Sequence, residues 1–245
     1  MNFLDYPAYV MGCLGIGDII CSLNALENLG REKRRRILVY VCHLDYFARA
    51  RCIYEALDLK LVDLQCIDYD YVKARWGDEH TIFQAFGTEV SWVKEWLYGW
   101  GLRESLGHEA MVPFRHVPAT VPGSVGVSFT LTWCPARNIS RESVVTLISK
   151  LLRANKHVTY FGYRETEDDY LLPLAATGLS ICPHDLSETI TRIGMCETFL
   201  GADSGMAWLA VFSRVKTTIL VGRSCNGMPR THSDIPWVGI EREAA

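Results

Sequence analysis

Short apolar runs alternate along the chain with stretches that place apolar side chains every three or four residues. Residues 10–14 are apolar and meet Gly15-Ile16-Gly17. Over 18–29, Ile19, Leu23, Leu26 and Leu29 share the spacing of one helix face. Gly30 and the basic run Arg31-Glu32-Lys33-Arg34-Arg35-Arg36 are expected to end that helix. Residues 37–42 and 61–66 read as strands, with a helix at 46–57 between them. The order β-α-β-α-β predicts a parallel sheet with crossover helices.

The middle is less regular. Trp92, Trp96 and Trp100 recur every fourth residue, as an apolar helical stripe or an aromatic platform for an acceptor. Pro113, Pro118 and Pro122 then break the pattern, since proline removes a donor and disfavours helix before it. The alternation restarts with strands at 125–130, 158–161, 179–182, 198–200 and 217–221. Between them lie helices at 141–154, 167–176, 186–195 and 204–212. The pattern predicts an α/β protein of two Rossmann-like domains with parallel sheets facing across a cleft: 1–113, a linker at 114–123, and 124–245.

Composition fits this picture. The chain has 245 residues, 49% hydrophobic and 22% charged, so it can fill a core and is not disordered. A net charge of −3 excludes a generally basic nucleic-acid coat. Nine cysteines without Cys-x-x-Cys spacing read as buried thiols of a reducing compartment rather than a zinc site. The first residues carry no cationic leader, and the longest uncharged run, 117–136, holds three prolines. A cytoplasmic protein with no transmembrane segment is expected.

Two segments carry candidate chemistry. In Gly12-Cys13-Leu14-Gly15-Ile16-Gly17-Asp18 the glycines let a ligand approach the backbone as a helix begins. Asp18 is either a capping carboxylate or a general base. The glycine spacing matches neither a dinucleotide fingerprint nor a P-loop. In Gly201-Ala202-Asp203-Ser204-Gly205-Met206 a strand ends and an apolar helix begins, as a plain capped turn or as a diphosphate cradle. Asp68-Tyr69-Asp70 has the letters of a metal-binding Asp-x-Asp but follows the third strand, and reads as loop acids.

These segments, in this order and about 185 residues apart, resemble the glycosyltransferase-B heptosyltransferases of family nine, in a shortened and divergent form. That family carries a Gly-Asp turn after its first strand and an Asp-Ser/Thr-Gly-Pro-Met-His-Leu-Ala signature. The second reads here Asp203-Ser204-Gly205-Met206-Ala207-Trp208-Leu209-Ala210. Trp208 stands for the histidine, Met206 for the proline, Cys21 where many members have histidine, and Asn24 where they have proline.

The resemblance implies an inverting, metal-independent sugar transfer from a nucleoside-diphosphate sugar to an acceptor hydroxyl, with no cofactor. Asp18 would be the general base. Asp203, Ser204 and Gly205 would hold the donor diphosphate, Arg137 would supply the cation, and Glu165 would meet the ribose. Met206 and Trp208 would also lie on the donor side, with Trp208 stacking on a base or sugar or else packing in the core. Gly15, Gly17, Cys21 and His43 would lie on the acceptor side. The acceptor stays open between a glycan or lipopolysaccharide core and, as the rival reading within enzymes, a protein or modified DNA. The basic cluster at 31–36 is either a solvated helix end or a contact to an anionic acceptor. The rival from another class is a catalytically silent module that binds a nucleotide or nucleotide sugar.

Overall fold

A computed structural model describes residues 8–11, 15–41, 44–66, 112–129, 139–154, 156–182, 185–202, 204–222 and 237–240. The chain divides into two compact units, Met1–Arg115 and His116–Ala245.

In the first unit, β1 (Ala8–Met11), β2 (Ile37–Val41) and β3 (Val62–Cys66) form a parallel sheet in the order β1-β2-β3. Helix α1 (Ile16–Lys33) joins β1 to β2, and α2 (Leu44–Ala56) joins β2 to β3. Ile19, Leu23, Leu26 and Leu29 are buried on the inner face of α1, as their spacing predicts, and Ile20 is buried with them. Gly30 does not end this helix, which runs on to Lys33 and stops at Arg34 in the left-handed conformation (φ 53°). Gly30 serves close packing instead: a Cβ there would lie 3.0 Å from the Leu61 Cβ and 3.1 Å from the Arg35 carbonyl.

Helix α1 also buries polar side chains that the hydrophobic pattern does not reveal. The Glu27 carboxylate accepts from the Lys60 and Leu61 backbone N–H groups at 3.0 and 2.8 Å, fixing the entry to β3. Its other oxygen lies 3.4 Å from Arg31 Nε. Asn24 Oδ1 accepts from Val112 N at 2.7 Å. The same returning segment bonds the end of α2: Asp58 N donates to the Pro113 carbonyl, and Arg115 N and Nε donate to the carbonyls of Ala56 and Leu57. The buried hydrogen bond explains why an amide occupies position 24.

In the second unit, six parallel strands lie in the order β6-β5-β4-β7-β8-β9. They are β4 (Val121–Ser128), β5 (His157–Tyr160), β6 (Ser180–Ile181), β7 (Cys196–Ala202), β8 (Lys216–Gly222) and β9 (Trp237–Ile240). The connecting helices are α3 (Arg141–Arg153), α4 (Asp168–Ala175), α5 (Leu186–Gly194) and α6 (Gly205–Phe212). The chain runs outward through β5 and β6, then returns to place β7 beside β4. The order in which strands are added therefore reverses between β4 and β7, the position where open parallel sheets bind ligands.

Strand β4 begins inside the proline-rich stretch: Val121 pairs with Cys196, and the register shifts before Val125. Pro122 lies within that irregular start, where the missing donor breaks no regular ladder. Strand β9 has no counterpart in the predicted elements. Val125, Val127 and Phe129 face a core with Val144 and Ile148 of α3 and Leu171 and Leu174 of α4. On the opposite face Gly126 admits the packed rings of Phe161 and Phe199, where a Cβ would lie 2.6 Å from Phe199. The Trp92 stripe and Asp68-Tyr69-Asp70 lie outside the described residues.

Candidate functional site

The carboxyl ends of β4, β7 and β5 gather a site at the reversal point of the second unit. Ser128 ends β4, stands in register with Gly201 and is 1% exposed. Its hydroxyl is buried and has no hydrogen-bond partner. Ser204 precedes α6 in an extended conformation, and its hydroxyl is also buried and without a partner, making no cap bond to the helix. A serine at that position ordinarily accepts from an amide in the first turn. Both hydroxyls are left to bond something else. Ser22 and Ser213 also carry buried hydroxyls without partners, but they lie on α1 and just after α6, not at these strand ends.

Glycines shape the space around Ser128 and the start of α6. A Cβ on Gly201 would stand 2.5 Å from the Ser128 carbonyl oxygen, so β4 and β7 approach closely at their ends. Gly162, just past β5, has φ +74°, and a Cβ there would meet Met206 Cγ at 3.4 Å and Ser128 Oγ at 3.5 Å. The α6 N-terminus adds backbone N–H groups without helical partners and a positive end of the helix dipole. Hydroxyls and a helix N-terminus are donors of the kind that an anion of phosphate type accepts from. Gly205, Met206 and Trp208 lie half-buried on the first turns of α6. Asp203, Arg137 and His43 lie outside the described residues.

The loop after β5 holds a second polar cluster. Glu165 is exposed and opens a 3-10 turn (Glu165–Glu167). Glu167, only 6% exposed, is the buried acid of this loop. Its Oε1 accepts from the hydroxyls of Tyr160 and Tyr170 at 2.7 and 2.6 Å, and its Oε2 from Arg164 N at 2.9 Å. Burial, followed by the bond to Glu167, pushes the Tyr170 hydroxyl far above its ordinary range. Tyr163 donates to Asp168, and that bond, with some burial, raises its pKa to about 12. Arg141 pairs with Asp169 and lies 5.5 Å from the centre of the Tyr170 ring. The sequence signal for Glu167 is slight: Tyr170 follows it by three residues, one helical turn on.

In the first unit, Asp18 is half-buried in the first turn of α1. Its Oδ2 accepts from Gly15 N at 3.1 Å, so the carboxylate performs the capping that its position suggested. Gly15 is the exposed residue before the helix, whereas Gly17 and Cys21 lie within α1 rather than in a loop. Cys21 is buried and faces the interior, so an acceptor-side contact through its side chain does not fit its place. Among the described residues no group of His, Cys, Asp and Glu side chains is placed to hold a metal ion. No described helix is long and apolar enough to cross a membrane.

Solved structures share this architecture. ADP-heptose lipopolysaccharide heptosyltransferase II of E. coli aligns with a TM-score of 0.62 at 13% identity, over 95% of this chain and 89% of that one. A glycosyl transferase family 9 protein from Veillonella parvula DSM 2008 gives 0.60 at 13% identity, over 98% and 87%. The iron-containing dodecameric glycosyltransferase TibC of enterotoxigenic E. coli H10407 gives 0.59 at 15% identity, over 98% of this chain and 64% of TibC. No family model and no curated protein matches the sequence. The chain thus has the heptosyltransferase-like fold of glycosyltransferase-B enzymes.

Proposed function

We propose that this chain, built on the heptosyltransferase fold, moves a sugar from a nucleoside-diphosphate donor to an acceptor hydroxyl. The observation that carries the reading is the pair of buried hydroxyls without partners, Ser128 and Ser204, beside the α6 N-terminus. A buried polar group without a partner costs about 1–3 kcal/mol, so the two at or just after the ends of neighbouring strands β4 and β7 call for a ligand that repays them. Diphosphate oxygens accept from hydroxyls and from helix amides alike.

Transfer needs two things of the protein. The acceptor hydroxyl must lose its proton as it attacks the anomeric carbon, and the leaving diphosphate must be stabilised as charge builds on it. Asp18 is the base in this reading. The α6 N-terminus, Ser128, Ser204, Asp203 and Arg137 form the donor site, with Glu165 toward the ribose. Displacement by a single acceptor inverts the anomeric carbon, and helix dipole plus arginine take the place of a metal in stabilising the leaving group.

A thermal-shift screen against ADP, UDP, GDP and their sugar conjugates tests the reading. A ligand that binds only the folded chain stabilises it by about 2.7 kcal/mol at a hundredfold excess over Kd. A rise in Tm with one nucleoside and its sugar conjugates is expected; no shift with any of them overturns the reading. Product formation that persists in a chelator is expected for transfer without a metal. TibC makes that second measurement worthwhile, because it is described as iron-containing.

A further inference from the structure

The Glu167 cluster has no part in the transfer step, yet one buried carboxylate there accepts three hydrogen bonds. A carboxylate this buried must be satisfied by donors. Its donors come from three places: Tyr160 at the end of β5, Tyr170 in α4, and the Arg164 backbone in the loop between them. One side chain therefore ties strand, helix and loop together. The loop so held starts at Gly162, whose Cα faces the Ser128 hydroxyl and Met206. It presents the exposed side chains of Arg164 and Glu165.

Strand β5 lies next to β4 on the side away from β7. A ligand whose phosphates rest on Ser128, Ser204 and α6 has its next portion within reach of the loop one strand over. In open parallel sheets that portion, the sugar of a nucleotide, is met by side chains at the end of a neighbouring strand. We infer that Glu167 is a positioning residue for the nucleoside half of the donor, acting by fixing the Gly162–Glu165 loop and not by touching the ligand. The inference rests on the nucleotide-sugar reading above. It divides the site into a phosphate part that does not depend on Glu167 and a nucleoside part that does.

The test compares two probes on the full chain by titration calorimetry. One is the best nucleoside diphosphate among ADP, UDP and GDP, and the other is inorganic diphosphate. In Glu167→Gln the carboxamide accepts through one oxygen only and brings donors where donors already point. Nucleoside diphosphate affinity is expected to fall at least tenfold while inorganic diphosphate affinity stays within twofold. Tyr170→Phe removes one of the three bonds and is expected to give about a threefold loss in the same direction. It carries the test alone if the glutamine variant loses its circular dichroism spectrum. A purely structural role would weaken both probes in parallel, and equal or unchanged affinities overturn the inference. A wild-type chain that binds neither probe fails the nucleotide reading itself, and the inference falls with it; that outcome shows in the wild type before any variant is made.

Discussion

Gly162 and Ser128 face each other across the ends of β5 and β4, with room for a Cβ on the glycine 3.5 Å from the serine hydroxyl. Gly162→Ala places a methyl in that space. The left-handed backbone there (φ +74°) makes the alanine cost about 1–2 kcal/mol. Urea denaturation should show a cooperative transition shifted by that amount. Nucleoside diphosphate binding should fall as well, because the methyl lies against Ser128 and Met206. Unchanged affinity would remove Gly162 from the site.

Ser128→Ala and Ser204→Ala should move stability and binding in opposite directions. Each deletes a buried hydroxyl without a partner, so stability should hold or rise by up to about 1 kcal/mol. Each also deletes a donor to the diphosphate, for an expected affinity loss of about tenfold, or ~1.4 kcal/mol. Denaturation and calorimetry on the same samples check both. A variant that loses stability instead reveals a structural hydroxyl.

Asp18→Asn keeps an oxygen to accept from Gly15 N and should keep α1. Donor binding should stay within twofold while sugar transfer falls by at least a hundredfold, about 2.7 kcal/mol in the barrier. Near-normal turnover in a product assay would make Asp18 a capping residue and nothing more.

Glu27→Ala strips acceptors from the Lys60 and Leu61 amides and leaves Arg31 without its carboxylate. The expected loss is about 3 kcal/mol. Asp63→Ala breaks the Arg36–Asp63 pair, whose side chains are 53% and 44% exposed, and should cost less than about 1 kcal/mol. Equilibrium unfolding of the two variants side by side measures the contrast.

Alkali should loosen the second unit. Tyr163 keeps its proton to about pH 12 in the fold, above its usual 10.0, chiefly through the bond to Asp168. Burial likewise lifts the Cys196 thiol to about 12 from 9.0. Between the ordinary and the raised values the unfolded chain releases protons that the folded chain retains, so stability falls as pH rises through that window. Tyr163→Phe should flatten the decline between pH 10 and 12 in denaturation midpoints. Cys196 should resist alkylation at pH 8 until the unit unfolds.

The alternation of apolar and amphipathic segments made the parallel sheets legible, because each element buries one face and the period records it. Ser204 and Gly205 were legible as well, since a strand end, small residues and a helix start stand consecutively in the chain. Ser128 was not: a hydroxyl at a strand end looks ordinary until β7 and the loop after β5 close around it. Glu167 is one acid among several in its stretch, and only tertiary contact with Tyr160 sets it apart from exposed Glu165. Gly30 misleads in the other direction. Its sequence context, before a basic run, is that of a helix end, while its work is to let Leu61 approach.

The contacts of residues 112–115 have a consequence for how the first unit opens. Val112 N donates to Asn24 of α1, Asp58 N donates to the Pro113 carbonyl, and Arg115 N and Nε donate to the carbonyls of Ala56 and Leu57. Four hydrogen bonds to α1 and to the end of α2 make this short segment part of one cooperative unit with the two helices. Its amides should exchange hydrogen together with theirs and not as a fraying end.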